Sequence, residues 1–269
     1  MTSPKKNKKI VILSGTRADF GKLKSIILAT QENKNLDLSI FVTGMHLNPD
    51  YGYTVNEIYN SKIRNVYEFN NFSVSKKMDI ILSETIKGFS DFINKEDPDL
   101  IVVHGDRTEA LAGALVGCYN NILVAHFEGG EVSGALDDSL RHAISKLSNI
   151  HFVTDQKSKK RLTQLGEQPN FIFVIGSPDI DLMKSKNLED IDTVKSYYEI
   201  NFNEYAVAIF HPVTTELDNL ESDIENFCRA MIASRKNYVV IYPNNDEGSE
   251  IVLSAYKKFL TSDNFRVFP

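Results

Sequence analysis

Short apolar runs recur along this chain between longer amphipathic stretches, and nothing else narrows its possible folds as much. Residues 9–13, 36–43, 100–104, 122–127, 150–154 and 171–175 are rich in Val, Ile, Leu and Phe. Several of these runs are continuous rather than alternating, the pattern of strands covered on both faces in a parallel sheet. The segments between them carry helical signals. In residues 106–119, Ala110, Leu111, Ala114 and Leu115 fall at helical spacing, and Asp137 and Asp138 stand where they can cap and charge a helix over 137–147. This βαβα order with short loops predicts an α/β fold whose first domain is doubly wound and reaches about Ser177.

Beyond Pro178 the composition turns polar and charged, and strand signals restart at 205–210, 238–242 and 265–268. The expected division is therefore 1–178 and 179–269, two Rossmann-like units. The second holds so few strands that its sheet would be short and thinly covered, which suggests a fragment of a longer chain.

Charge and cysteine usage exclude several functions. Thirty Lys and Arg against 36 Asp and Glu leave a net charge of −6, which repels a phosphate backbone while leaving room for a small anion at one basic spot. Cys118 and Cys228 are far apart and in no zinc-like spacing, so both read as small hydrophobes in a reducing compartment and no metal is expected. Lys5, Lys6, Lys8 and Lys9 precede an apolar stretch at 10–13 that is too short for a signal-peptide core. No run approaches the ~18 apolar residues of a membrane helix, and the expectation is a cytoplasmic protein without a membrane partner.

Ligands of open parallel sheets bind beyond the carboxyl ends of the strands, so the segments that follow each strand matter most. The first, Ser14-Gly15-Thr16-Arg17-Ala18-Asp19-Phe20-Gly21-Lys22, is a glycine turn into a helix with two cations, suited to a diphosphate. It matches neither a Walker A loop nor GxGxxG, and a plain turn with a surface Arg and Lys is the alternative. Asp106, after His104-Gly105, could act in chemistry, but a single Asp at a strand end more often serves as a helix N-cap. Glu128, Glu131, Asp137 and Asp138 put four carboxylates within eleven residues. In a closed pocket their repulsion would push some pKa values upward, as acid/base chemistry requires, whereas on the surface they would be a solvated loop. The apolar strand before Glu128 favours the pocket. His211 follows a strand of the second unit and would face a cleft between the units. Of the other histidines, His46 has the stronger case for a role. The absence of GxSxG and HExxH removes hydrolase triads and zinc sites.

The segments SGTRADFGKLK, VTGMH, HGDRTEALAGA, HFEGGEVSGALDDSLRHAISKLS, IGSPD, FHPVTT and IYPNNDEGSE, in that order between residues 9 and 269, closely resemble the hydrolysing UDP-N-acetylglucosamine 2-epimerases of sialic-acid biosynthesis. The resemblance implies a glycosyltransferase-B type fold, with the second domain incomplete in this chain. It implies a UDP-sugar substrate, no cofactor, and a homo-oligomer, dimer or tetramer. The implied chemistry is elimination of UDP to a glycal followed by addition of water. By the same resemblance Asp106, Glu128 and Asp137 are the catalytic carboxylates and His211 the motif histidine. Glu128 and Asp137 are favoured as the proton-transfer pair, with Asp106 supporting the sugar or the water. Arg17 and Lys22, assisted by Arg107, would hold the diphosphate, and Asn244 the nucleotide side. Ser133-Gly134-Ala135 and Phe127 depart from the common pattern and bear on the sugar pocket. A relative acting on UDP-N,N'-diacetylbacillosamine, a non-catalytic nucleotide-sugar-binding paralogue and a glycosyltransferase on the same fold remain alternatives.

Overall fold

The computed structural model describes residues 7–75, 77–133, 136–185, 188–213 and 216–269. The readings placed on Lys5, Lys6, Gly134, Ala135, Thr214 and Thr215 lie outside the described residues. The chain forms two units, Met1–Ser185 and Lys186–Pro269.

The first unit alternates strands and helices throughout. In order it contains β1 (Lys8–Ser14), α1 (Arg17–Glu32), β2 (Leu36–Val42), α2 (Val55–Asn60), β3 (Val66–Glu68), α3 (Met78–Glu96) and β4 (Leu100–His104). It continues with α4 (Thr108–Tyr119), β5 (Leu123–Phe127), α5 (Leu136–Leu147), β6 (Ile150–Val153), α6 (Gln156–Gln164), β7 (Ile172–Val174) and α7 (Asp179–Met183). The seven strands are parallel, in the order β3-β2-β1-β4-β5-β6-β7.

Alternate residues of the central strands feed two separate cores, which is why the strands read as unbroken apolar runs. Ile12, Ile40, Val102 and Ala125 pack with Phe20, Leu23 and Ile27 of α1. Val11, Leu13, Ile101, Val103 and Val124 pack with Phe89 and Phe92 of α3 and Ala110 and Ala114 of α4. β3 was not expected: it is three residues long, at the sheet edge, and mostly exposed. Helix α7 packs against α1, so the first unit runs past Pro178 to Ser185.

The second unit contains α8 (Ile191–Tyr197), β8 (Ala206–Ile209), α9 (Leu220–Ser234), β9 (Tyr238–Ile241), α10 (Ser249–Tyr256) and β10 (Phe265–Phe268). Its parallel sheet has the order β10-β9-β8, and Ala208, Ile224, Cys228, Val240 and Val252 form its core. Cys228 is the buried small hydrophobe expected, but Cys118 is exposed near the end of α4. Among the described residues no helix is long and apolar enough to cross a membrane.

Candidate active site

The strand order of the first unit reverses between β1 and β4. Helix α1 covers one face of the sheet and α4 the other, so the segments leaving these two strands diverge at their carboxyl ends, the place where open parallel sheets bind ligands. Ser14 ends β1 and His104 ends β4, and Phe127, the last residue of β5, delivers Glu128 beside them.

The turn after β1 is built by reciprocal capping. Thr16 is the N-cap of α1 and its hydroxyl accepts from the Asp19 amide at 3.2 Å. Asp19 Oδ2 in return accepts from the amides of Gly15 (3.2 Å) and Thr16 (3.0 Å) and from the Thr16 hydroxyl (3.1 Å). The other oxygen, Oδ1, lies 2.9 Å from His104 Nδ1.

On its far side His104 Nε2 lies 3.1 Å from Glu128 Oε2, an ion-pair contact outside hydrogen-bond alignment. Lys22, one turn along α1 from Asp19, donates to both oxygens of Glu128 at 2.8 and 2.6 Å. Glu128 is only 7% exposed. Its backbone is left-handed, with φ at 61°, and its amide donates to Phe152 O. Such a conformation costs a non-glycine residue about 1–3 kcal/mol, a strain that clusters at functional sites. The glycines that follow let the chain pass. A Cβ on Gly129 would stand 2.9 Å from His126 Nδ1, and one on Gly130 would stand 2.5 Å from Ser158 O.

Repulsion among the acidic side chains was expected to raise carboxyl pKa values here, and Glu128 does the opposite. Burial works against its ionisation, but His104 and Lys22 outweigh burial and bring it down to about 2. Burial also opposes charge on His104, yet Asp19 and Glu128 hold that ring up at about 9. His46 and His126 show what burial does where no carboxylate is hydrogen-bonded to the ring. It pushes them down to about 4 and about 3, so both are neutral rings bonded to Ser14 and Thr54, and to Ser145 and Gly105, respectively.

A second ion network lies on the α5 side. Arg141, 7% exposed, pairs with Asp106 Oδ2 through Nη2 and with Asp138 Oδ1 at 3.2 Å through Nη1. Asp138 also accepts from the Ser133 amide at 2.7 Å. Asp106 is not a helix cap, because Arg107 occupies the N-cap position of α4. Arg107 Nε stands 3.6 Å from the buried Glu109. Asp137 is exposed on the first turn of α5, and Arg17 is exposed on the first turn of α1.

In the second unit His211 and Asn244, the sites expected from two different segments, come together. They leave the neighbouring strands β8 and β9, and the Asn244 amide donates to His211 Nδ1 at 3.3 Å. His211 is exposed.

Sequence reasoning therefore located Lys22, Asp106, Glu128, His211 and Asn244 at strand ends or helix starts, but missed Asp19, His104 and Arg141. The Asp138–Arg141 spacing of three on a predicted helix was a usable signal for the last. Among the described residues no group of three or more His, Cys, Asp and Glu side chains is arranged to hold a metal ion.

The UDP-N-acetylglucosamine 2-epimerase family model matches residues 28–269. The chain is 43% identical over 262 residues to UDP-N-acetylglucosamine 2-epimerase of Neisseria meningitidis, covering 97% of this chain and 69% of that protein. It is 32% identical to UDP-N,N'-diacetylbacillosamine 2-epimerase (hydrolyzing) of Legionella pneumophila, over 97% of this chain and 70% of that one. The crystal structure of UDP-GlcNAc 2-epimerase from Neisseria meningitidis bound to UDP-GlcNAc superposes with a TM-score of 0.77 at 23% identity, over 97% of this chain and 72% of that one. At that identity the likeness speaks for the fold, which is α/β and of the glycosyltransferase-B type. From the match across most of its length and the 43% identity, the chain belongs to the UDP-N-acetylglucosamine 2-epimerase family.

Proposed function

We propose that the chain acts as a hydrolysing epimerase, converting UDP-N-acetylglucosamine and water into N-acetylmannosamine and UDP. The observation that carries this reading is Glu128, a buried ionised carboxylate at the end of β5, one strand from the switch point of the sheet, with a lysine against both of its oxygens. The proton on C2 of the sugar is too weakly acidic for direct removal. When the bond from C1 to the diphosphate breaks first, positive character at C1 acidifies that proton. Glu128 takes it, the electron pair of the broken C2–H bond becomes the second bond between C1 and C2 of a glycal, and UDP departs with the electrons of the C1–O bond. Arg17, Lys22 and Arg107 supply positive charge for the diphosphate. Water then adds its oxygen to C1 and gives up a proton to the solvent, while a second acid, Asp137 in this reading, returns a proton to C2 on the opposite face; exchange with solvent then deprotonates Glu128 and reprotonates Asp137. Asp106 supports the sugar or the water, and His211 and Asn244 serve the substrate from the second unit.

Likeness to the hydrolysing Legionella enzyme supports release into water over reversible epimerisation, and the same likeness makes the doubly acetylated sugar the second substrate to try. The product would serve sialic-acid or related nonulosonic-acid synthesis. Chromatography of a UDP-N-acetylglucosamine digest tests the reading. Free UDP and free N-acetylmannosamine in equal amounts are expected, and UDP-N-acetylmannosamine without free UDP would refute the hydrolytic step.

A further inference from the structure

We infer that Asp19 and His104 form a positioning pair for Glu128: a doubly protonated imidazole clamped between two carboxylates, which fixes where the reactive carboxylate points. The inference rests on Glu128 being the base proposed above.

The geometry builds outward from Asp19. Its Oδ2 is occupied by two backbone amides and a hydroxyl, so the carboxyl group cannot swivel, and Oδ1 meets His104 Nδ1 at 2.9 Å. That contact anchors the ring through Nδ1 and leaves Nε2 3.1 Å from Glu128 Oε2, within ion-pair reach though outside hydrogen-bond alignment. Ionised carboxylates only accept, so a ring between two of them needs a proton on each nitrogen, because a neutral ring would turn a lone pair toward one of them. Glu128 in turn has its backbone fixed by the bond to Phe152 O, leaving its side-chain torsions to be set by His104 and Lys22.

Those two partners are not equivalent. The Lys22 side chain is 31% exposed and belongs to the proposed diphosphate cradle, whereas that of His104 is 8% exposed. When a diphosphate draws Lys22 away, His104 is the partner that stays. The charged and titratable groups around the pair are Lys22 on α1, His46 after β2, Arg107 at the start of α4, His126 on β5, and Glu131 and Asp179 toward Lys22. Within this set Asp19 and Glu128 are the carboxylates that touch the His104 ring.

Imidazole and carboxyl NMR titrations of the chain, wild type beside Asp19→Asn and His104→Gln, test the pair without requiring turnover. In the wild type both His104 ring nitrogens should carry protons at pH 7.5. Asp19→Asn should lower the His104 proton affinity at least about tenfold, and His104→Gln should raise that of Glu128 by a similar factor. In the UDP-sugar assay both variants should lose about 10²-fold in kcat, with KM little changed and the acid limb of the pH profile moved upward in His104→Gln. A wild-type ring that is neutral at pH 7.5, or an Asp19→Asn titration that coincides with the wild type, overturns the pair, as does a loss carried by KM alone. If the wild type turns over no UDP-sugar, the proposed function fails while the NMR titrations still decide the pair.

Discussion

Asp106 and Glu128 leave the carboxyl ends of neighbouring parallel strands, yet their partners differ in kind. Asp106 is held by Arg141, a buried guanidinium shared with Asp138, which cannot give up its proton. Glu128 is held by a partly exposed lysine and an imidazole, cations that a competing anion or a change of pH can remove. Adjacent positions in one fold thus yield one carboxylate locked into structure and one whose charge balance can change during a reaction. That difference is the physical reason to assign the base to Glu128 and a supporting place to Asp106.

The largest effect should come from Glu128→Gln, which keeps the shape and removes the proton acceptor. Turnover should fall by about 10²–10⁴-fold with an unchanged circular dichroism spectrum, and a near wild-type rate would erase the distinction between the two carboxylates. Arg141→Met sharpens the comparison from the other side. It strands Asp106 and Asp138 beside a buried apolar group, and urea unfolding should show a loss of about 3 kcal/mol. A variant as stable as the wild type would mean that Asp106 is not locked in the way described. Lys22→Met should barely alter stability but should raise the Glu128 titration midpoint by about one pH unit or more, read by carboxyl NMR.

The same charges also set the pH dependence of stability. The folded pKa of Glu128 is depressed to about 2, so its contribution is present above the ordinary carboxylate value and is lost as pH falls from about 4.5 toward 2. That of His104 is raised to about 9, so its contribution is complete below about 6.5 and is lost as pH rises from there through 9. His46 and His126 are depressed to about 4 and about 3, and each withdraws stability as pH falls below about 6.5. Thermal melts should therefore decline on both sides of neutrality. In His104→Gln the alkaline decline should flatten while the acid decline from His46 and His126 persists, and an unchanged alkaline slope would remove His104 from the ionised set.

The strands were legible because burial on two faces leaves no polar alternation to obscure them, as in β1 and β4. β3, with two of its three residues exposed at the edge, carries no such signal. Glu128 was legible as a strand-end carboxylate, but its low pKa was not. Counting acidic neighbours along the chain predicts repulsion, whereas the groups that touch it, Lys22 and His104, come from about 106 and 24 positions away. Asp19 completes a capping box with Thr16, and its second contact, to His104, depends on β1 lying beside β4. Strand order is a property of three-dimensional packing that periodicity does not encode.

The central claim is that a carboxylate on the first unit exchanges the proton at C2 of the sugar, and solvent labelling tests it most directly. Incubation with UDP-N-acetylglucosamine in deuterium oxide, followed by NMR of the product, should give N-acetylmannosamine carrying one deuterium at C2, and Glu128→Gln should give almost none of that product. Product that retains the original hydrogen at C2 would contradict the account.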